Sequence, residues 1–472
     1  MARNYRKLLS LAVCATIGLS SFAQTWKNVA VSKLNNGKFK EVEQIISDLN
    51  TKEQKDNAIF IDSLQTMMRR IRNDFRITPE EGKKELLKKV PNATDAMISE
   101  WKKKKYLETR IIDGQEWWFR KTIRNFSLLN KDLYAEQIAA DKKKEYIDMH
   151  KDINYILSLK RDANNVCDWK EVEMTYFLEV PANAVPEGKI IKAWLPFPYD
   201  NGRQRNFKLL SSTSPVTHSV GSVHHTVYME QKAVKDTPTR FEIKFTYEVG
   251  AQVFSKGDIL RNLKPYNKQS ENYQKNTCQV LPHILVNNKY KDIAMTIVGK
   301  EKNPVLQASL IYDWISANYP WAGAVDYSTI PCIPEYVLNI DHGDCGQVAL
   351  LYISLLRSIG IPARWESGWE FNANWSGWHD WLEVYFEGTG WVPCDMSRGR
   401  TTYNEPFQDF YKTCIDGYRF ATNEGTNGDF YPKKKYLRCE TVDFQAGEVE
   451  WEGGNITRYK SNLKATKITP IK

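Results

Sequence analysis

The sequence predicts an α+β protein with a helical N-terminal region, a β-sandwich, and a core in which a helix carrying a cysteine packs on an antiparallel sheet. Apolar residues recur at three- and four-residue spacing through 24–160, as they do in amphipathic helices. Runs with strand composition, separated by turn residues, fill 165–265. In 280–400, a strongly apolar helical segment precedes two strand-like segments joined by a turn. These patterns give the predicted order of the domains.

The composition is that of a folded protein of several domains. The chain has 472 residues, of which 42% are hydrophobic and 26% are charged. These values exclude the collagen-like, coiled-coil and wholly disordered classes. The formal net charge is +9, and the short lysine runs are typical of solvated faces, with contact to an anionic cell envelope as the alternative. The 15 tryptophans are unusual and indicate deep cores or ring-lined binding surfaces.

The start of the chain predicts export. A positively charged beginning, an apolar run over 8–19 and small residues at the end make 1–23 a predicted secretory signal peptide. Cleavage before Gln24 would release a secreted or periplasmic protein. A lipoprotein signal is less expected, because Val13 precedes Cys14 where such signals need a small residue.

The region 24–160 is predicted to be mainly helical. Thr78 followed by Pro79 is a typical helix start with Thr78 as the cap. Asp113–Gly114, set among alternating residues, indicates a hairpin. Helix, turn, helix and hairpin together resemble a small winged-helix unit. Because this unit follows a predicted secretion signal, we expect it to serve docking or packing, and we expect no nucleic-acid binding.

Two further regions are rich in predicted strands. The stretch 165–265 has the length and pattern of a β-sandwich domain. The stretch 401–472 contains short strands and loops, and we expect it to be a β extension packed on the preceding domain, 280–400. No later segment of the sequence is apolar enough to span a membrane.

Cys345 lies at the predicted start of a buried helix. The apolar positions of 348–359 fall on one helical face, and Gly360 with Pro362 ends the helix. Asp344 is the expected cap. Free N–H groups and the positive end of the helix dipole favour a thiolate at such a position and can hold an oxyanion. The alternative interpretation is a small core cysteine.

His379 and Asp395 lie on two predicted strands joined by the turn 387–390. A hairpin would bring Asp395 beside His379, where a carboxylate fixes the imidazole tautomer and stabilises the imidazolium. Together with Cys345, these residues meet the requirements of a nucleophile, its base and the group that orients the base. His342, three residues before Cys345, is expected to help shape the site.

These segments resemble the transglutaminase-like (papain-like) superfamily in its bacterial secreted branch. The matching stretches are 343–345 with 355–364, 379–385 and 390–395. The resemblance covers 280–400, and 165–265 is similar to the β-sandwich that precedes this core in some members. It implies that Cys345 is the nucleophile, His379 the general base and acid, and Asp395 the orienting carboxylate.

The resemblance also implies an aromatic residue, upstream of the nucleophile, that helps to hold the oxyanion. Trp321 is the candidate, with Tyr319 and Tyr327 as alternatives. One departure from the family is Asp380, because a small residue usually follows the histidine; the aspartate could place a carboxylate on the opposite face of the strand. We expect no cofactor and no metal, and the sequence contains no calcium loop resembling an EF-hand.

The predicted reaction is attack of Cys345 on a peptide or carboxamide carbonyl to give a thioester. Resolution by water, which we favour, would make the chain a protease or amidase. Resolution by an amine would make it a protein-crosslinking transferase, and a non-catalytic envelope-binding or scaffold protein on the same fold is the third alternative. The expected partner is a peptide or protein substrate, and nothing in the sequence sets the oligomeric state.

Seven of the eight cysteines follow Gln24. Because this number is odd, at least one thiol has no partner within the chain. Two disulfides are considered, Cys414–Cys439 and Cys332–Cys394. A bond from Cys345 to Cys332 or Cys394 would instead be a redox lock, and spacing does not decide between these pairings.

Six of the tryptophans fall within 365–391, around the predicted base and its orienting carboxylate. Trp369, Trp375 and Trp378 lie on or beside a connection that contains Gly and Asn. Because loops of this kind often border active sites, we expect one or more of these three rings to line the substrate cleft. Trp381 and Trp391 are instead expected to wedge the sheet against its helices.

Overall fold

A computed structural model describes residues 23–218, 223–398 and 409–471, so the predicted signal peptide lies outside the described residues except for Ala23. The described residues combine helices and strands, and the named strands pair antiparallel throughout. The predicted α+β class is confirmed. No helix among the described residues combines the length and apolarity needed to cross a membrane.

Helices dominate the first third of the chain and the region 256–358. They are α1 (Ala23–Asn35), α2 (Phe39–Ser47), α3 (Thr51–Asp56), α4 (Ala58–Asp74), α5 (Pro79–Lys89), α6 (Asp95–Lys103), α7 (Thr122–Leu129), α8 (Lys131–Ser158), α9 (Lys256–Asn262), α10 (Glu271–Thr277), α11 (Asn288–Val298), α12 (Pro304–Asn318), α13 (Ile333–Ile340), α14 (Cys345–Ser358) and α15 (Phe410–Thr413).

The strands form four sheets. They are β1 (Phe75–Ile77), β2 (Thr109–Ile112), β3 (Gln115–Phe119), β4 (Val166–Val180), β5 (Ile190–Pro196), β6 (Gln204–Ser212), β7 (Thr217–His218), β8 (Thr226–Lys232), β9 (Thr239–Val253), β10 (Ala363–Phe371), β11 (Ser376–Phe386), β12 (Gly390–Cys394), β13 (Cys414–Ile415), β14 (Arg419–Asn423), β15 (Glu448–Trp451), β16 (Gly454–Ile456) and β17 (Lys460–Pro470).

The N-terminal region runs helix, strand, helix, helix, strand, strand from α4 to β3, and its sheet has the order β1-β3-β2. Thr78 caps α5 by accepting a hydrogen bond from Glu81 N–H, with Pro79 in the first turn. Asp113 and Gly114 both have positive φ between β2 and β3, which a two-residue hairpin turn requires. The predicted helix start and hairpin are confirmed. One hydrophobic cluster joins α1, α2 and α4 to α12 and α14, so this region packs directly on the core that holds Cys345.

The β-sandwich is completed by the C-terminal segment. One sheet has the order β13-β9-β4-β17 with β6 also paired to β9, and the other has the order β16-β15-β5-β8-β7. Their facing side chains form one buried apolar cluster. The sandwich therefore extends beyond 165–265, because strands from 401–472 pair inside both of its sheets rather than only packing on the domain before them. Local strand patterns do not reveal such distant pairing.

The third large sheet holds the predicted site. Its order is β12-β11-β10-β14, and α14 packs on one face of it. Strand β14 pairs with β10 at Gly368, where a Cβ would lie 1.9 Å from the Phe420 carbonyl oxygen. Glycine at this position is thus required for β14 to approach β10.

All seven cysteines of the described chain are free thiols, so neither considered disulfide forms. Cys414 donates to the Phe254 carbonyl oxygen at the edge of the sandwich, whereas Cys439 donates to Glu448. Cys394 is buried in the hydrophobic cluster around α14, and Cys332 precedes α13. The two cysteines of each considered disulfide therefore lie in different environments.

A buried ionic network ties the sandwich to the third sheet. Arg203, which directly precedes β6, pairs with Glu366 on β10 and lies 3.3 Å from Glu383 on β11. These three side chains are at most 3% exposed. Removal of one partner would leave uncompensated buried charge.

We therefore expect Arg203→Met to lower the free energy of unfolding by about 3–5 kcal/mol. Arg205→Met is the matched control, because Arg205 pairs with Glu248 while its side chain is 42% exposed, and we expect less than about 1 kcal/mol. Urea denaturation followed by tryptophan fluorescence measures both. Equal losses in the two variants would contradict this account of the network.

Candidate active site

The cysteine of the site is positioned by α14. Cys345 is the first residue of this helix, and Asp344 caps it by accepting a hydrogen bond from Gln347 N–H at 3.3 Å. Most of α14 is buried, so packing of the helix holds the Cys345 backbone in place. The predicted location of Cys345 at a capped helix start is confirmed.

His379 and Asp395 form a buried pair on neighbouring strands. His379 lies in β11, Asp395 directly follows β12, and the pairing of Leu382 with Cys394 brings them together. His379 Nε2 lies 2.7 Å from Asp395 Oδ2, and the two side chains are 5% and 0% exposed. A carboxylate in this position can orient the imidazole and stabilise the imidazolium.

Asp395 is also held by groups that the sequence did not indicate. Arg419 Nη1, from β14, lies 2.9 Å from Asp395 Oδ2, and Ser397 N–H donates to Asp395 Oδ1 at 2.9 Å. Burial would raise the pKa of Asp395, but the His379 imidazole and the Arg419 guanidinium outweigh it and hold that pKa well below its usual range. Asp395 is therefore ionised at neutral pH. Arg419 carries no local sequence signal, since it reaches the site only through the pairing of β14 with β10.

Asp380 is the residue that contacts the thiol. As the alternation of a strand requires, the Asp380 side chain leaves β11 on the face opposite to that of His379. The face that carries Asp380 is the one that packs on α14. Asp380 Oδ2 lies 3.5 Å from Cys345 Sγ and 3.4 Å from the Tyr327 hydroxyl, and Oδ1 accepts a hydrogen bond from Gln445 Nε2 at 2.6 Å. A Cβ at Gly346 would lie 2.4 Å from Asp380 Oδ2, so glycine gives this carboxyl group room beside the helix.

The carboxyl groups oppose a thiolate at this site. Burial raises the pKa of Asp380 well above its usual range, and Asp443 and Asp344 raise it further. Burial likewise raises the pKa of the Cys345 thiol, with added effects of Asp380 and Asp344. The start of α14 still favours a thiolate, but burial and two adjacent carboxyl groups outweigh it here.

Cys345 and His379 line the same cleft. Within the described chain the thiol is hydrogen-bonded to Asp380 rather than to the imidazole. Because Asp395 occupies Nε2 of His379, Nδ1 is the ring nitrogen available to a thiol. Hydrogen bonds between a nucleophile and its base often tighten only when substrate is bound.

The cleft has a volume of about 1320 Å³ and is shared between domains. The core contributes Cys345 and His379, and the segment after β14 contributes Glu440 and Asp443. Burial raises the pKa of Glu440 to about 8 and that of Asp443 to about 7. The cations that line the cleft from the N-terminal region are Arg120, Lys121, Arg124 and Lys131. No residue of that region is among the site residues predicted from the sequence.

The structure places two of the three candidate tryptophans in the cleft. Trp375 and Trp378 line the cleft and are 51% and 55% exposed. Trp369 is 3% exposed, belongs to the sandwich core and donates from Nε1 to the Gln445 carbonyl oxygen at 3.2 Å. It points away from the cleft because β10 is covered by the sandwich at this position.

Trp375→Ala is expected to raise KM about three- to tenfold with little change in kcat, because stacking of one aromatic ring is worth roughly 0.5–1.5 kcal/mol. Tyr431→Ala is the control, since Tyr431 is 63% exposed and does not line the cleft. Steady-state kinetics on a peptide substrate would measure both. An unchanged KM for the Trp375 variant would remove this ring from the binding surface.

Trp321 and His342 flank the start of α14. Trp321 lines the cleft and forms a parallel bridge with Gly343, and the Arg124 guanidinium lies 5.2 Å from its ring centre. His342 is buried, 5% exposed, and is not part of the cleft lining. The structure therefore brings Trp321 to the cleft and leaves His342 beneath it.

No group of three or more His, Cys, Asp or Glu side chains among the described residues is arranged to hold a metal ion. The carboxyl groups nearest to Cys345 are engaged with protein donors instead: Asp380 with Tyr327 and Gln445, and Asp344 with Tyr327.

Comparison with known proteins shows that the residues of this site match the model of a known family. Residues 291–396, which include Cys345, His379 and Asp395, match the model of the transglutaminase-like superfamily. The chain is 23% identical over 333 residues to an uncharacterized protein of Haemophilus influenzae, covering 59% of this chain and 85% of that protein. It is 28% identical over 164 residues to the uncharacterized protein YebA of Bacillus subtilis, covering 30% of this chain and 22% of that protein. A solved structure from Cytophaga hutchinsonii, described as a candidate cysteine protease, superposes with a TM-score of 0.44 at 15% identity, covering 65% of this chain and 92% of that one.

Proposed function

Since residues 291–396 form a transglutaminase-like domain, we propose that the chain is a cysteine-dependent acyl-transfer enzyme that hydrolyses peptide or carboxamide bonds through a thioester on Cys345. The observation that carries the proposal is the buried His379–Asp395 pair in the same cleft as a cysteine at a helix start. Nucleophile, base and orienting carboxylate are the groups that such acyl transfer requires.

In the proposed first step, Cys345 Sγ attacks the carbonyl carbon while its proton passes to His379 Nδ1. The S–C bond forms, the C–N bond breaks, and the imidazolium gives its proton to the leaving amine. The N–H groups at the start of α14 are the proposed donors to the oxyanion, with Trp321 as the candidate side chain.

In the second step, water attacks the thioester while His379 accepts its proton. The S–C bond breaks, the acid product leaves, and the thiol is restored when the imidazolium returns the proton to sulfur. An amine in place of water would give transfer, so the acceptor decides between a hydrolase and a crosslinking enzyme.

The proposal includes export, with a mature chain that begins near Gln24 and acts in the periplasm or outside the cell. Support for this part comes from the charged start, apolar run and small residues of 1–23.

The test is to incubate the mature chain with a peptide library, with and without a primary amine, and to analyse the products by mass spectrometry. Cleaved peptides that depend on Cys345 are the expected result, and Cys345→Ala is the control. Amine adducts in place of cleavage would replace hydrolysis with transfer. Neither product, or equal products from Cys345→Ala, would contradict the proposed function.

A further inference from the structure

Three cations of the N-terminal region line the cleft without an ion pair. They are Lys121, Arg124 and Lys131, here called the cationic patch, and none is within 4.0 Å of a carboxylate among the described side chains. Two other cations of the cleft are paired: Arg120 lies 2.8 Å from Asp74, and Lys412 lies 2.8 Å from Asp313. The cationic patch is thus free to pair with a bound anion.

Lys121 is fixed against the loop that leads to Cys345. A Cβ on Gly323 would lie 2.9 Å from Lys121 Cδ, so the lysine stem packs on backbone that carries no side chain. Beside it, Asn125 and Gly323 exchange two hydrogen bonds of 2.8 and 2.9 Å. The same loop bridges to Gly343 through Trp321, two residues before Cys345. The position of the cationic patch is therefore coupled to that of the nucleophile.

The charge of Lys121 is poorly compensated within the protein. Burial lowers the pKa of Lys121, and the neighbouring Arg120 and Arg124 lower it further. Asp344 and Asp74 raise that pKa, but they do not cancel the lowering. Arg124 extends over the Trp321 ring and so presents its guanidinium at the cleft wall. An anion placed here would relieve this repulsion and accept charge-assisted hydrogen bonds.

We propose, on the basis of the proposed function, that the cationic patch binds a carboxylate of the peptide substrate and selects acidic peptides. Carboxylates are the anionic groups that a peptide offers, either on an Asp or Glu side chain or at its C-terminus. The opposite side of the cleft, which includes Glu440 and Asp443, offers carboxyl groups rather than unpaired cations, so charge places the anion beside Lys121 and Arg124.

The experiment uses peptide pairs that differ only by Glu or Gln at one position, each with a free or amidated C-terminus. Binding to the Cys345→Ala protein is measured by titration calorimetry, and kcat and KM are measured with wild type. We expect at least tenfold tighter binding and a lower KM for the peptide that carries the recognised carboxylate, with a preference that weakens as salt is raised. The amidated arm shows whether a side chain or the C-terminus supplies the carboxylate.

Lys121→Met with Arg124→Met, which removes both charges but keeps apolar stems, is expected to abolish the preference, so that the Glu and Gln peptides bind equally. Lys412→Met is the matched control, because Lys412 lines the same cleft but is already paired, and it should keep the preference. Equal binding of Glu and Gln peptides, or a preference for basic peptides, would overturn the inference. Cys345-dependent cleavage of neutral peptides would in that case leave the proposed function standing, whereas acid-selective binding with no turnover would count against the proposed function alone.

Discussion

Asp395→Asn is expected to lower kcat/KM about 10⁴-fold, by analogy with the loss of the orienting carboxylate in other catalytic triads. An asparagine amide at 2.7 Å from His379 Nε2 cannot stabilise an imidazolium and can select the wrong tautomer. We expect KM to change little, because Asp395 is buried and does not line the cleft. Steady-state kinetics on a cleaved peptide would measure the effect.

Asp416→Asn is the control for this prediction. Asp416 pairs with the same Arg419 guanidinium at 2.7 Å but makes no contact with the imidazole. We expect it to retain activity within about tenfold, with thermal unfolding used to show that both variants are folded. Comparable losses in the two variants would show that Arg419 pairing, rather than orientation of His379, limits the rate.

Asp380→Asn is expected to increase alkylation of Cys345 by iodoacetamide by about tenfold or more at alkaline pH, where the Asp380 carboxyl carries its charge although burial raises its pKa. A carboxylate beside a thiol disfavours the thiolate and raises the thiol pKa, so a neutral amide at 3.5 Å lowers that pKa and leaves more thiolate at a given pH. Two unit charges about 4 Å apart interact by about 4 kcal/mol at an effective dielectric constant of 20. The lower nucleophilicity of a less basic thiolate offsets part of the gain.

The measurement is the alkylation rate of Cys345 as a function of pH, read by peptide mapping. Its midpoint should move to lower pH in the Asp380 variant, whereas Asp313→Asn, which removes a carboxylate of the same cleft paired with Lys412, should leave it in place. A midpoint that stays or rises in Asp380→Asn would contradict the electrostatic account of the thiol.

The charged and titratable groups around Cys345 come from several elements. They are Asp344 at the cap of α14, Tyr327 before α13, His379 and Asp380 on β11, Asp395 after β12 and Asp443 in the segment after β14. Of these groups, Asp380 and then Asp344 raise the pKa of the thiol most after burial. The Asp380 variant is therefore the substitution most able to shift its titration.

Local features of the site could be read from the sequence because they depend on short-range rules. An aspartate before an apolar helix caps it, and a turn between two strand-like segments makes a hairpin. These rules gave Cys345 at the start of α14 and brought His379 beside Asp395. The alternation of a strand likewise gave opposite faces to His379 and Asp380.

Features that depend on distant pairing could not be predicted in this way. Alternation does not say which face of β11 packs on α14, so the contact between Asp380 and Cys345 had no local signal. Arg419 enters through β14, and the cationic patch enters through packing of α7 and α8 against the core. Trp369 was a candidate for the cleft wall, but it lies in the sandwich core. That core is completed by strands far along the chain, which local sequence patterns do not reveal.

The central claim is that Cys345 carries the acyl group during turnover, and intact-protein mass spectrometry after rapid acid quench tests it most directly. With a peptide that the chain cleaves, we predict a mass increase equal to the acyl fragment, located on Cys345 by peptide mapping, removed by hydroxylamine and absent from Cys345→Ala. Cleavage of that peptide by Cys345→Ala at the wild-type rate, with no acyl group on the wild-type thiol, would contradict the claim.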